Sequence, residues 1–305
     1  MRAAESDTPV VVGIDGSVPS YAAVSWAARE AKLHHCPLRL VSALGAVSPH
    51  GDLRLPPRYF ADRDRAVHDH LAVAAAIAHT TDTSATVTEI TTDVLEGAER
   101  PALIEESKSA RMVVVGSRGL GHVSAVLAGS VAVALAAHAH SPVVVIHGQT
   151  GQTSGVGNVV VGVDGTENGV PALEAAFTEA ALRGTGVVAV HTWSQFAVSS
   201  AYCGELDMEW DEVDAAERAV LAEALAGWSE RYPEVPVTRA VVRGNAAGTL
   251  RDRAVGAELL VVGTRGRGGF EGMVLGSISA TLLHSAQCPI MIVRSGRPAD
   301  AGRGQ

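Results

Sequence analysis

VVVGIDGS at residues 10–17 recurs as VVVGVDGT at residues 159–166, and the reading of these two stretches decides the fold. Each is a short apolar, β-branched run followed by an acid, a glycine and a hydroxyl residue. That is a buried strand running into a tight turn. In the first copy Ser17 can cap the helix that comes next, with Pro19 in its first turn. Val24, Ala27, Ala28 and Ala31 then fall at i, i+3, i+4 and i+7, and Leu173, Ala176, Phe177 and Ala180 repeat that apolar face in the second copy. Strand, turn and amphipathic helix in this order open an α/β fold with a parallel sheet.

Further matches lie outward from this pair. MVVVGSRG (112–119) recurs as LLVVGTRG (259–266), and SPVVVI (141–146) as CPIMIV (288–293). Asp15 and Asp164 are 149 residues apart, and Gly116 and Gly263 are 147 apart, as are Pro142 and Pro289. The halves are therefore two copies of one unit, in order and in register. Within the first copy the pattern predicts strands over Val10–Ile14, Leu38–Ala43, Thr86–Thr92, Met112–Val115 and Val143–Ile146. Helices are expected after Ser17 and over residues 60–80, Ala98–Ser109 and Ser130–Ala139, with residues 207–231 the second copy's counterpart of 60–80. The expected architecture is α/β: two tandem Rossmann-like domains, each a five-stranded parallel sheet flanked by helices, at residues 1–147 and 157–294. GQTGQTSGVGN spans the joint, so 148–156 reads as a flexible linker and 295–305 as a disordered tail.

Composition agrees with this and excludes other classes. The 305 residues are 47% apolar but only 4% aromatic, so Ala, Val and Leu must fill the interior, as in parallel sheets covered by helices. A net charge of −9 gives no long-range attraction to nucleic acid or an anionic membrane face. Three scattered cysteines without a CxxC argue against a disulfide framework, and MRAAESDTPV is no signal peptide, so the expected location is cytoplasmic. Residues 124–146 are long enough to span a bilayer, but Gly129, His138, His140 and Pro142 interrupt them, and a buried helix plus strand is expected instead. Histidine spacing offers no metal site, since His68/His70 and His138/His140 are two apart, and no Gly-x-Ser-x-Gly turn is present. The acidic run from Glu205 to Glu217 reads as a solvated loop and helix start.

The chemistry sits in a second repeated motif. Gly116-Ser117-Arg118-Gly119 is followed by nine residues and Gly129-Ser130; Gly263-Thr264-Arg265-Gly266 is followed by nine and Gly276-Ser277. Glycines let the backbone approach a ligand, successive N–H groups form a nest for phosphate, and a helix N-terminus favours negative charge. The alternative is a flexible loop before an ordinary capped helix. There is no Lys before the Ser, so this is not the Walker A loop, nor is it the dinucleotide G-x-G-x-x-G. Arg118 and Arg265 can neutralise phosphate or stand as solvated charges. Asp15 and Asp164, beyond Gly13 and Gly162 at the end of strand one, can bind ribose, base or metal, or else close an Asx turn. Gly97 and Gly244 each lie 19 residues before their loop and either border the ligand or form a bare turn.

On the strand-one Asp, the Gly97/Gly244 turns and the duplicated G-x-x-G-x9-G-S, the chain resembles a tandem universal stress protein of the actinobacterial, ATP-binding type. The resemblance covers roughly residues 8–147 and 157–294. It implies that Gly116, Gly119, Gly129, Ser130 and Val131 hold phosphates and ribose in the first half, and Gly263, Gly266, Gly276, Ser277 and Ile278 in the second. Asp15, Asp164, Ala43 and Thr192 would border adenine or ribose. His191, where the first copy has Ser42, departs from the symmetry and puts the equivalence of the two base pockets in doubt. The implied cofactor is ATP, with Mg²⁺ expected beside it. Pairing through VVVI (143–146) and IMIV (290–293) would give a pseudo-dimer within the chain and a homodimer between chains. The resulting expectation is an ATP-binding regulator or sensor of stress and dormancy with at most weak hydrolysis, since no general base stands in the loop. A slow ATPase or adenylate-transferring enzyme and a nucleotide-free interaction scaffold are the competing readings.

Overall fold

A computed structural model describes residues 7–45, 56–81, 89–119, 128–147, 157–194, 210–266 and 274–295. The expected linker at 148–156 and the tail beyond Ser295 lie outside the described residues. The chain divides into two compact units, residues 1–152 and 153–305.

In the first unit β1 (Val10–Gly13), α1 (Val18–Leu33), β2 (Leu38–Ala43), α2 (Pro57–Thr81), β3 (Ile90–Leu95), α3 (Glu99–Glu106), β4 (Met112–Gly116), α4 (Ser130–His138) and β5 (Val143–Ile146) alternate. The strands lie side by side in the order β3-β2-β1-β4-β5, every neighbouring pair parallel. In the second unit β6 (Val159–Val163), a 3-10 turn at Glu167–Gly169, α5 (Val170–Arg183), β7 (Val187–Trp193), α6 (Trp210–Ala224), α7 (Trp228–Arg231), β8 (Val237–Arg243), α8 (Ala246–Arg253), β9 (Leu259–Gly263), α9 (Ser277–Ser285) and β10 (Ile290–Val293) succeed one another. The order β8-β7-β6-β9-β10 repeats the first, again all parallel. Among the described residues each unit is thus a five-stranded, doubly wound sheet. In both, strand order reverses beside the first strand of the unit, where a crevice opens at the carboxyl ends of the strands.

Burial explains why these runs are strands and not short helices. Val10–Val12, Met112–Val115 and Val143–Ile146 are buried throughout, as are Val159–Val161, Leu259–Val262 and Ile290–Val293. Strands covered by helices on both faces need apolar residues at every position rather than at alternate ones. The amphipathic faces of the first helices behave as the periodicity requires: Val24, Ala27, Ala28 and Ala31 in α1 and Leu173, Ala176, Phe177 and Ala180 in α5 are all buried. Ser17 caps α1, its hydroxyl accepting from the Ser20 N–H. No helix among the described residues is long and apolar enough to cross a membrane.

Two elements differ from the sequence expectation. The third strand is Ile90–Leu95 rather than 86–92, of which residues 86–88 lie outside the described part. Local propensity stops at Asp93, a poor strand former. Pairing overrides it: Leu38 to Ala43 of β2 set the register against Ile90 to Leu95, and Arg39 makes ion pairs with both Asp93 and Glu106. The long helix expected over 207–231 is broken into α6 and α7. Gly227 takes a left-handed φ of 79°, which turns the chain so that the Trp228 ring stacks on Phe177 at 5.1 Å.

That stack gives a test of the second core. Phe177→Ala removes a fully buried ring and the partner of Trp228. Stability should fall by about 3–5 kcal/mol in urea unfolding followed by tryptophan fluorescence. A loss near zero would mean that the ring is not packed as described.

Candidate functional site

The site begins at the turn after the first strand. Ser17 donates to Asp15 Oδ1 from its N–H at 3.0 Å and from its hydroxyl at 2.6 Å. Thr166 repeats this at Asp164, with its N–H 3.0 Å from Oδ1 and its hydroxyl 3.0 and 2.9 Å from the two carboxylate oxygens. Each acid therefore closes an Asx turn, the simpler of the two roles its position allows. It does so without leaving the crevice, because both acids are half-buried and line it.

Next to this turn, across one strand spacing, lies the glycine loop. β4 ends at Gly116, the Ser117 N–H donates to the Ile146 carbonyl at 2.8 Å, and the Gly129 N–H donates to the Ser117 carbonyl at 2.7 Å. Thr264 to Val293 at 2.9 Å and Gly276 to Thr264 at 2.7 Å repeat the arrangement. The two ends of each loop are thereby pinned together at the tip of the sheet. α4 and α9 start there with extended caps, Gly129 at ψ 155° and Gly276 at ψ 155°, and a glycine cap has no side chain to bond the first-turn N–H groups. This contrasts with α1 and α8, which Ser17 and Asn245 cap. Orphan donors and the positive helix end face the crevice, an arrangement suited to an anion.

The glycines answer to close approaches. A Cβ on Gly119 would overlap the Asp15 Oδ2, and one on Gly116 would lie 2.7 Å from the backbone carbonyl carbon of Pro19. At Gly129 the nearest atom would be 3.6 Å away, ordinary contact.

These parts enclose one cavity per unit. In the first, about 450 Å³, Gly13, Asp15, Ala43, Gly116, Arg118, Gly119, Gly129, Ser130 and Val131 all contribute. In the second, about 260 Å³, Gly162, Asp164, Thr192, Gly263, Arg265, Gly266, Gly276, Ser277 and Ile278 do so. Gly97 and Gly244 are not among the lining residues. Gly97 has φ +92°, and a Cβ placed on it would meet nothing within 4 Å, so it serves the turn before α3; Gly244 precedes Asn245, the cap of α8.

The pattern of a repeated strand–glycine loop–helix is matched by known proteins. The Universal stress protein family matches residues 8–147 and again residues 155–294. A universal stress protein of Mycolicibacterium smegmatis is 39% identical over 293 residues, covering 93% of this chain and 96% of that one. One of Mycobacterium tuberculosis is 38% identical over 300 residues, covering 96% and 99%. The chain belongs to the universal stress protein family. The crystal structure of a universal stress protein from Archaeoglobus fulgidus shares the fold, with a TM-score of 0.69 at 17% identity over 95% of this chain and 99% of that one.

Within this universal stress protein the crevice also takes residues that motif reading passed over. Arg63, Ala66, Val67 and His70 of α2 line the first cavity, with Glu99 and Leu103 of α3. The four from α2 fall at i, i+3, i+4 and i+7, so periodicity marks them as one face; nothing local says that this face borders a ligand rather than a core. The His70 ring lies against Gly16, within the Asp15–Ser17 turn. In the second unit His191, Ala246 and Leu250 join the lining.

Close approach separates the two glycines experimentally. Gly119→Ala should cost about 1–3 kcal/mol, because either the loop or the Asp15 turn must shift. Gly129→Ala should stay within about 0.5 kcal/mol. Urea unfolding of the two variants decides, and equal losses would contradict the described contact with Asp15.

Proposed function

We propose that this protein binds ATP, one molecule per domain, and acts as a nucleotide-dependent regulator or sensor in the stress and dormancy response of a cytoplasm. The observation that carries the reading is the uncapped first turn of α4 and of α9, facing a crevice whose other wall holds Asp15 or Asp164. β1 and β4 are neighbours, as are β6 and β9, so the acid and the helix end stand about one strand spacing, roughly 4.8 Å, apart at the sheet edge.

The residues suit such a ligand part by part. Backbone N–H groups of the first helical turn, with Arg118 or Arg265, suit the phosphates. The carboxylate of Asp15 or Asp164 can accept from a ribose hydroxyl or an adenine amine. Val41, Val67 and Leu103 in one cavity, and Val190, Ala246 and Leu250 in the other, give an apolar bed for a base. In a chain of net charge −9 the triphosphate needs local cations, and Mg²⁺ beside the two arginines supplies them. Asp15 and Asp164 are each committed to their own turn, which favours a binding role with slow turnover over a dedicated ATPase.

Ser130→Asp and Ser277→Asp test this without disturbing the fold. An acid in the first turn stabilises a helix by about 0.3–1 kcal/mol. Beside a phosphate at about 4 Å the same charge opposes binding by roughly 4 kcal/mol, which is far more than tenfold. Calorimetric titration with ATP and Mg²⁺ should give two sites in the parent and one in each variant. No heat and no thermal stabilisation of the parent would reject nucleotide binding. Variants that bind as the parent does would move the phosphate away from these helices.

A further inference from the structure

The two cavities share a backbone plan and differ at one end. Ser42 and His191 occupy equivalent positions, each beside the tip of its unit's first strand. Ser42 Oγ donates to the Ile14 carbonyl at 2.7 Å, and His191 Nδ1–H donates to the equivalent Val163 carbonyl, also at 2.7 Å. The imidazole, however, is far larger than the hydroxyl. Its Nε2 lies 2.6 Å from Glu217 Oε2 of α6, and His191 is 1% exposed. The pair bridges β7 to α6, and His191 lines the β7 side of the second cavity, the smaller one at about 260 Å³.

In the first unit, among the described residues, the cavity is about 450 Å³, and the cation Arg63 lines it at the corresponding end. Arg63 has its Nε buried with no partner, and its Nη1 reaches the Gly45 carbonyl only at 3.4 Å. Among the described residues no carboxylate pairs with it. A buried donor left without an acceptor is costly, and guanidinium is matched best by an oxyanion. Glu99 reaches the same end of the cavity from α3, on the other face of the sheet, with Oε1 3.3 Å from where a Cβ on Gly45 would stand, and offers an acceptor for a ligand N–H. Arg63 sits beyond β2 and the α4 N-terminus beyond β4. With β1 between them, the ends of β2 and β4 are about two strand spacings, roughly 10 Å, apart, which sets the scale of the crevice. That is the span from the phosphates of a nucleotide to the far edge of its base.

We propose that the sites are specific for different ligands. The first takes a purine nucleotide whose exocyclic amine carries an anionic substituent, with Arg63 receiving the anion and Glu99 the amine N–H. The second, narrowed by the His191 ring that Glu217 holds in place, takes only the unsubstituted nucleotide. This rests on the nucleotide reading, with phosphates at the helix ends and the base toward β2 and β7.

N6-carboxymethyl-ATP and ATP, each with Mg²⁺, are the probes, titrated into full-length Ser277→Asp, which leaves the first site, and Ser130→Asp, which leaves the second. The first site should bind the substituted nucleotide at least as tightly as ATP. The second should bind it about tenfold to a hundredfold more weakly than ATP, the usual effect of overfilling a packed pocket. In the first-site protein Arg63→Gln should weaken N6-carboxymethyl-ATP about tenfold or more relative to ATP, and Arg63→Lys should restore part of the loss. In the second-site protein His191→Ser with Glu217→Ala, which removes both members of the pair and strands neither, should admit the substituted nucleotide. Equal affinity of the two probes at both sites, or equal weakening of both probes by Arg63→Gln, would overturn the inference and leave ATP binding standing. Failure of the parent to bind ATP at all would remove the nucleotide reading and this inference together.

Discussion

Four N–H groups at the start of an α-helix have no partner within the helix, and something must satisfy them. In α1 and α8 a side chain answers part of that demand. In α4 and α9 the cap residue is a glycine and gives none, as is also true of the caps of α3, α5 and α7; what sets α4 and α9 apart is that they start behind a glycine loop and line the crevice. Much of each unit serves to place that helix end. Buried valines hold β4 between β1 and β5, hydrogen bonds from Ser117 and Gly129 pin the loop, and the absence of side chains at Gly116 and Gly119 lets Pro19 and the Asp15 turn close against it. The crevice is a consequence of strand order, and the proposal that it takes an anion rests on the helix-end donors that line it.

What was legible in the sequence is what local chemistry decides. β2 and β5 run over the residues that the apolar pattern marks, and Ser17 caps α1 as its position before a proline-bearing turn suggests. The loop residues could be named because glycines at a fixed spacing, twice, have a backbone meaning that needs no neighbour. β3 was misplaced because its limits come from pairing with β2 and from the Arg39–Asp93 contact, neither of which a propensity for threonine and isoleucine can register. The break at Gly227 was hidden for a related reason: one glycine in a helical pattern is tolerated unless a tertiary contact, here Trp228 on Phe177, uses the turn.

The site was legible to the same depth. The end proposed to take phosphate is backbone, close in sequence to a repeated motif. Its other end is made by side chains from helices that reach the crevice only after folding. Arg63 and His70 lie on a stripe that reads as one more packed face, and Glu217 in an acidic stretch that reads as a solvated surface. The duplication sharpens the contrast. The two copies agree where the backbone acts, at the glycines and helix starts, and disagree where side chains act, at Ser42 against His191. A repeat thus marks the backbone plan common to both crevices and leaves their differences to residues that motif reading does not weigh.

The central claim is that helix-end N–H groups hold the ligand's phosphates, and backbone amide NMR tests it atom by atom. Upon addition of ATP with Mg²⁺ to ¹⁵N-labelled protein, the amide resonances of Gly129, Ser130 and Val131 and of Gly276, Ser277 and Ile278 should shift more than those elsewhere, and adenosine without phosphate should leave them nearly still. If these six amides stay in place while others move, the phosphates are bound elsewhere and the account of the site is wrong.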